Sequence, residues 1–239
     1  DLFHLTYRPD ANYTHFILEI LPKIHYWLMF PEPRPRLLLS RAVAERLLPL
    51  LGLYGIGAED IVIVPSLWET PLCARRIYLS SAPMLTHDAA LRAVRSAVGD
   101  RREARRRIYI HRRGEKSWFR KLLNESKALE ILAARGFESL ALEDFTLPEQ
   151  VALFREAECI AGVYGGGLFN TIFCEPGTRL LSLTSPDYHR SILDALPEPL
   201  KLRGATVVGE SFSTKLDRNN SPFVLDLSAM TAACDLLEL

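Results

Sequence analysis

The stretch CIAGVYGGGLFNTIFCEPG, residues 159–177, sets an apolar run against three successive glycines and then a segment of helical character. Read as a buried strand, a turn and a helix, it places Tyr164, Gly165, Gly166 and Gly167 at the carboxyl end of a parallel strand, where open α/β sheets bind their ligands. Glycine lets the backbone come close to a ligand, and the first N–H groups of a helix lack intrahelical partners, so the turn reads as an anion cradle. A tight turn needed only to pack helix on strand is the alternative. Gly162, Gly165 and Gly167 run in the reverse order of the dinucleotide fingerprint, so a nicotinamide cofactor is not indicated, although Asp187 stands about where a ribose-binding acid belongs.

Outward from this stretch the same alternation recurs. Apolar runs at 37–40, 61–64 and 77–79 read as strands around a helical stretch at 41–55, and runs at 107–111, 138–143, 159–163 and 179–183 alternate with helical patterns at 122–135, 147–157 and 168–174. This predicts an α/β protein with largely parallel sheets, in two Rossmann-like sets that divide near Arg105 into domains 1–104 and 105–239. A helical stretch at 89–107 lies between the sets. A final helix at 228–238, with Ser228 as its N-cap, is expected to return to the first domain.

Composition excludes several function classes. The chain has 239 residues, 48% hydrophobic and 24% charged, and its 29 basic and 29 acidic residues cancel. No overall field draws it to nucleic acid or an anionic membrane, so any anion is bound locally. Arg101, Arg102, Arg105, Arg106 and Arg107 are interrupted by Asp100 and Glu103 and read as a solvated face. The four cysteines show no CxxC spacing and read as reduced thiols of a cytoplasmic protein, with no metal site. The most apolar stretch, 16–30, is broken by Glu19, Pro22, Lys23 and His25, which argues against a membrane span and leaves only peripheral membrane contact open.

Two further groups carry chemistry. The strand RIYIH delivers Arg112 and Arg113 to its carboxyl end, and Arg120, Lys121, Asn124 and Glu125 follow. Arginine forks bind phosphate oxygens bidentately, so two strand ends of one sheet carrying glycine backbone and arginine together suit a nucleoside diphosphate. Near the start, Tyr13, Phe16, Ile17, Ile20, Leu21 and Ile24 repeat at helical spacing, while His15 and Glu19 share the other flank four residues apart. Glu19 there can orient the imidazole as a general base requires, with Asp10 as the next candidate; a merely hydrogen-bonded histidine at a domain edge is the alternative.

In order, NYTHFILEILPKI (12–24), IYIHRR (108–113) with RKLLNE (120–125), and GFESLALEDFTLPEQ (136–150) leading into the glycine stretch resemble the glycosyltransferase family 61 pattern. That pattern reads roughly N-Y-x-H-[FW], then R-R and N-E, then G-F and E-Q, then G-x-x-G-A-G-L-x-N. The resemblance implies a GT-B fold of two facing Rossmann-like domains, the second holding a nucleotide-sugar. It also implies inverting transfer to a hydroxyl of a glycan or lipid-linked acceptor, with no cofactor beyond the donor. Relatives in animals and plants include xylosyl- and N-acetylglucosaminyltransferases, and bacterial ones are associated with capsular polysaccharide synthesis. By position, His15 matches the first histidine, Arg112 the arginine after the strand, Asn124 and Glu125 the N-E pair, and Gly165, Gly167 and Asn170 the glycine loop. Tyr164 stands where the family usually has histidine, Gly166 where it often has alanine and Ser182 where it commonly has glutamate. A catalytically weak nucleotide-sugar-binding module or partner subunit is the rival reading. No D-x-D triplet occurs, so a metal-bridged diphosphate is not indicated.

Overall fold

The computed structural model describes residues 1–5, 13–66, 71–80, 94–95, 98–99, 103, 105–113, 120–186, 194, 196–212 and 221–239, and the chain divides into two compact units, Asp1–Asp100 and Arg101–Leu239. The readings for Asp10, Asp187, Arg101 and Arg102, and most of the helical stretch at 89–107, lie outside the described residues.

The first unit is built on a parallel sheet of β1 (Leu2–His4), β2 (Arg36–Ser40), β3 (Ile61–Val64) and β4 (Ile77–Leu79), in the order β3-β2-β1-β4. In β2 every residue after Arg36 is buried, as a parallel strand covered on both faces requires. The central strand β1 was not anticipated: three residues carry too little pattern, and its partners lie far along the chain. After the undescribed residues comes one turn, α1 (Tyr13–His15), then a π-helical turn at Phe16–Ile20, and then α2 (Lys23–Leu28). In the π turn the Leu21 N–H reaches back to the Phe16 carbonyl at 2.9 Å. This wider winding breaks the expected amphipathic register and buries all five residues from Phe16 to Ile20, so Glu19 is not on a solvated flank but is only 5% exposed. The helix α3 (Arg41–Leu51) follows β2 directly and buries Val43, Ala44, Leu47, Leu50 and Leu51 at amphipathic spacing.

The second unit holds a fully parallel sheet of β5 (Arg106–His111), β6 (Glu138–Ala141), β7 (Ala157–Val163), β8 (Arg179–Thr184) and β9 (Arg203–Val208), in the order β6-β5-β7-β8-β9. The chain steps outward from β5 to β6, then crosses to the far side of β5 and winds on through β7, β8 and β9. The direction of winding therefore reverses between β5 and β7, which makes their carboxyl ends the crevice where open sheets take ligands. The chain goes on to a small antiparallel pair, β10 (Glu210–Ser211) and β11 (Phe223–Val224).

Its helices depart from expectation in instructive ways. The first, α4 (Glu125–Ala133), starts later than 122 because the chain before it pairs with β11, Leu123 donating to the Phe223 carbonyl at 2.8 Å and Phe223 to that of Lys121 at 2.9 Å. The next, α5 (Leu147–Arg155), begins in a capping box in which the Thr146 N–H and hydroxyl both donate to Glu149 Oε2 at 2.7 Å. After β7 a 3₁₀-helix at Gly166–Phe173 replaces the α-helix expected at 168–174, opening with a Leu168 N–H bond to the Gly165 carbonyl at 3.0 Å. A short α6 (Pro197–Leu200) precedes β9, where Gly204 gives Pro197 room: a Cβ there would lie 2.7 Å from the proline ring. The last helix, α7 (Leu227–Leu236), is capped by Asp226, which accepts from the Ser228 N–H at 2.8 Å, and not by Ser228 itself. Its buried Met230 and Cys234 join Tyr109, Leu132, Leu181 and Phe223 in the core of the second unit.

Arg105, Arg106 and Arg107 pair with Glu103, Glu138 and Glu158, in keeping with a solvated charged face. Cys73 is exposed; Cys159, Cys174 and Cys234 are buried, and burial pushes the Cys159 thiol up to about 11, leaving a small protonated hydrophobe.

Candidate functional site

The crevice between the ends of β5 and β7 collects four of the residues singled out by sequence. Arg112 leaves the end of β5 and donates through Nη2 to the Tyr164 carbonyl at 2.7 Å. Arg120 donates to the same oxygen at 3.4 Å, and its guanidinium lies 5.7 Å from the centre of the Tyr164 ring, which meets Phe169 edge-on at 6.0 Å. Arg120 has a left-handed backbone (φ 57°), a conformation that costs a non-glycine residue on the order of 1 kcal/mol or more. Two guanidinium groups are thus gathered on the turn that opens the 3₁₀-helix, beside the N–H groups its geometry leaves without intrahelical partners.

The glycines divide their work. Gly162 and Gly167 serve packing: a Cβ would lie 3.0 Å from the Ile110 carbonyl at the first and 2.8 Å from Leu142 Cδ1 at the second. Gly165 makes room for Arg112, because a Cβ there would collide with Arg112 Nη2. Its backbone is fully extended (φ 173°), a state open to any residue, so space and not torsion demands glycine. The displaced atom is the end of a flexible side chain. Gly165→Ala is therefore expected to leave thermal stability nearly unchanged while lowering nucleoside-diphosphate affinity about tenfold, the value of one charge-assisted hydrogen bond. In an Arg112→Ala background the same change is expected to cost little more, as a thermodynamic cycle by calorimetry checks; full additivity would sink the idea.

The other sequence candidates sit around this centre. Asn170 is 1% exposed and donates to Gln150 Oε1 at 3.0 Å, while Gln150 donates to the Leu142 and Phe145 carbonyls at 2.9 and 3.0 Å. It lies behind the turn and ties the 3₁₀-helix to α5. Asn124 uses both ends of its amide on Leu225, donating to its carbonyl at 2.9 Å and accepting from its N–H at 3.1 Å. Glu125 accepts from the Tyr109 hydroxyl at 2.7 Å. Burial, reinforced by that carboxylate, holds the Tyr109 phenol well above its ordinary value, so it stays a donor and locks the start of α4 to β5. Arg113 is turned outward to Asp144, in an exposed pair at 2.7 Å. A buried pair, Arg155 to Glu175 at 3.0 Å, anchors the chain after the 3₁₀-helix to the end of α5.

In the first unit, His15 Nδ1 lies 2.7 Å from Glu19 Oε1. The imidazole is partly exposed and the carboxylate is inside. Two neighbours were missed by sequence reasoning. Lys23 is 3% exposed, and burial lowers its proton affinity while Glu19 opposes that shift. His4 ends β1, level with Leu38 of β2 and Leu79 of β4, and burial together with Lys23 lowers its proton affinity too. Gln150 and Tyr109 were also missed as site residues, although Gln150 stood in the quoted E-Q pair. Among the described residues no group of three His, Cys, Asp or Glu side chains is placed to hold a metal ion, and no helix is long and apolar enough to cross a membrane.

Two parallel α/β sheets, one with a basic glycine turn at its switch point, define a Rossmann-like α/β protein. The family model described as Glycosyltransferase 61 matches residues 13–181, well over half of the chain, from the helical turn of His15 to the strand after the glycine turn. The chain belongs to that family and is a glycosyltransferase, working between a sugar donor and an acceptor. No curated protein matches it.

Proposed function

We propose that this enzyme moves a sugar, with inversion and without a metal ion, from a nucleoside-diphosphate donor to a hydroxyl of a glycan or lipid-linked acceptor, its two units being the halves of a GT-B transferase. The observation that carries the reading is the convergence of Arg112, Arg120 and Gly165 on one strand-end turn. In inverting transfer the acceptor oxygen attacks the anomeric carbon from the face opposite the leaving group. The bond to the diphosphate oxygen breaks with its electron pair, and the acceptor proton goes to a base. Arg112 and Arg120 neutralise the departing diphosphate, with the first N–H groups of the 3₁₀-helix beside them. His15 takes the proton: with its Nδ1–H given to Glu19, the lone pair resides on Nε2.

The test is calorimetric titration of a panel of nucleoside diphosphates and their sugars, with and without chelator, followed by NMR assignment of the product anomer. One nucleoside diphosphate is expected to bind in chelator, and its sugar to be transferred with inverted configuration. Binding that vanishes in chelator, or a retained anomer, overturns the reading.

A further inference from the structure

The carboxyl ends of β6, β5 and β7 lie side by side, so the strand that delivers Arg112 stands between the strand leading into Leu142–Phe145 and the strand leading into the glycine turn. One side chain joins the two flanks. Gln150, half-buried in the first turn of α5, donates through Nε2 to the Leu142 and Phe145 carbonyls and accepts at Oε1 from Asn170 of the 3₁₀-helix. Carbonyls only accept, so the amide has a single orientation that satisfies all of these contacts. The flanks also meet directly, since Leu142 Cδ1 is the atom that a Cβ on Gly167 would approach to 2.8 Å. Between the two carbonyls that Gln150 holds, Asp144 pairs with Arg113, the neighbour of Arg112. On the ligand side the fit is close. Arg112 Nη2 reaches the Tyr164 carbonyl at 2.7 Å and occupies the space that a Cβ on Gly165 would need. A slip of about 1 Å between the turn and β5 would take that contact beyond hydrogen-bond range.

We propose that Gln150 is a positioning residue for the donor diphosphate: its amide fixes the glycine turn relative to Arg112, so that backbone N–H groups and guanidinium converge on the same phosphates. The inference rests on the reading of this crevice as the diphosphate site. Gln150 acts through Asn170 on the 3₁₀-helix and through Leu142 beside Gly167. A turn held from both flanks loses less freedom when a ligand arrives, which raises affinity without adding a contact to it.

The experiment measures, by calorimetry on the full chain, affinity for inorganic pyrophosphate and for the nucleoside diphosphates of the binding panel in Gln150→Glu, Arg112→Ala and the double variant. Gln150→Glu keeps the shape of the side chain and its acceptor, but sets a carboxylate oxygen against two carbonyls in place of the N–H donors. It is expected to weaken binding about tenfold at a temperature well below its melting point. In the Arg112→Ala background the same substitution is expected to cost about twofold or less, because the register it disturbs no longer serves a guanidinium. A glutamine that only supports the fold would lower the melting temperature and leave pyrophosphate affinity alone. That result, or full additivity with Arg112→Ala, overturns the proposal. Failure of the site reads differently: a wild type that binds none of these ligands, or binds them no better than Arg112→Ala does, rejects the crevice and the proposal together. Loss in Arg112→Ala without loss in Gln150→Glu rejects only the role of Gln150. Should Gln150→Glu not fold, the side-chain amide resonance of Gln150 in the wild type decides. It is expected to shift as pyrophosphate is added, and an amide insensitive to saturating pyrophosphate rejects the proposal.

Discussion

Arg112→Ala is expected to weaken nucleoside-diphosphate binding by about 2 to 5 kcal/mol, roughly 30- to 5,000-fold, if the guanidinium and the diphosphate meet out of water. In the free protein Arg112 bonds a backbone carbonyl that the more distant Arg120 also reaches, so its removal leaves Tyr164 a remaining donor and the fold intact. The loss should therefore appear in calorimetric affinity and not in melting temperature. Arg113→Ala is the internal control. Arg113 spends its charge on Asp144 in an exposed pair worth about 1 kcal/mol or less, so its removal should leave affinity within a few-fold of wild type. Equal affinity for Arg112→Ala and wild type would move the diphosphate away from the β5 and β7 strand ends.

How much of this was legible in the sequence depends on the range of the forces at each position. Strands at 61–64 and 77–79 form where their apolar runs fall, and β7 and β8 are buried nearly throughout, because a parallel strand covered on both faces must be apolar along its length. The strand β1 is set by pairing with β2 and β4, which no local pattern encodes. The missed β9 has its apolar pattern interrupted by Gly204, whose reason is the Pro197 ring across from it. The π turn was out of reach for a different cause: a 3.6-residue period assigns Glu19 to a polar flank, and only tertiary packing pulls the turn open and the carboxylate in.

The candidate site shows the same division. The glycine turn and Arg112 were readable because both ride on strand ends, and strand ends of one parallel sheet are neighbours by construction. What Asn124 and Asn170 do was not readable. A polar residue in a motif is as fit to hold backbone as to hold ligand, and here the one is clasped to Leu225, 101 residues away, while the other is clasped to Gln150. Spacing placed His15 beside Glu19, yet it did not reveal that Lys23, another four residues on, would be buried as Glu19 is.

His15→Ala is expected to lower kcat by about 100-fold or more while donor affinity stays within a few-fold of wild type, since general-base catalysis typically contributes that much. The reasoning starts from geometry. The imidazole is partly exposed, its Nδ1 is held by Glu19 at 2.7 Å, and so Nε2 is left in a fixed direction to accept a proton. Glu19→Gln keeps the shape of that contact and removes its charge, so it should lose turnover by less than His15→Ala and again spare donor binding. The split between kcat and affinity is what distinguishes a base from a binding residue, because a group that acts only as the proton leaves contributes to the transition state and not to the bound donor. If His15→Ala instead loses donor affinity as strongly as turnover, His15 belongs to diphosphate binding, and the base has to be sought in another acid of the first unit, beginning with Asp10.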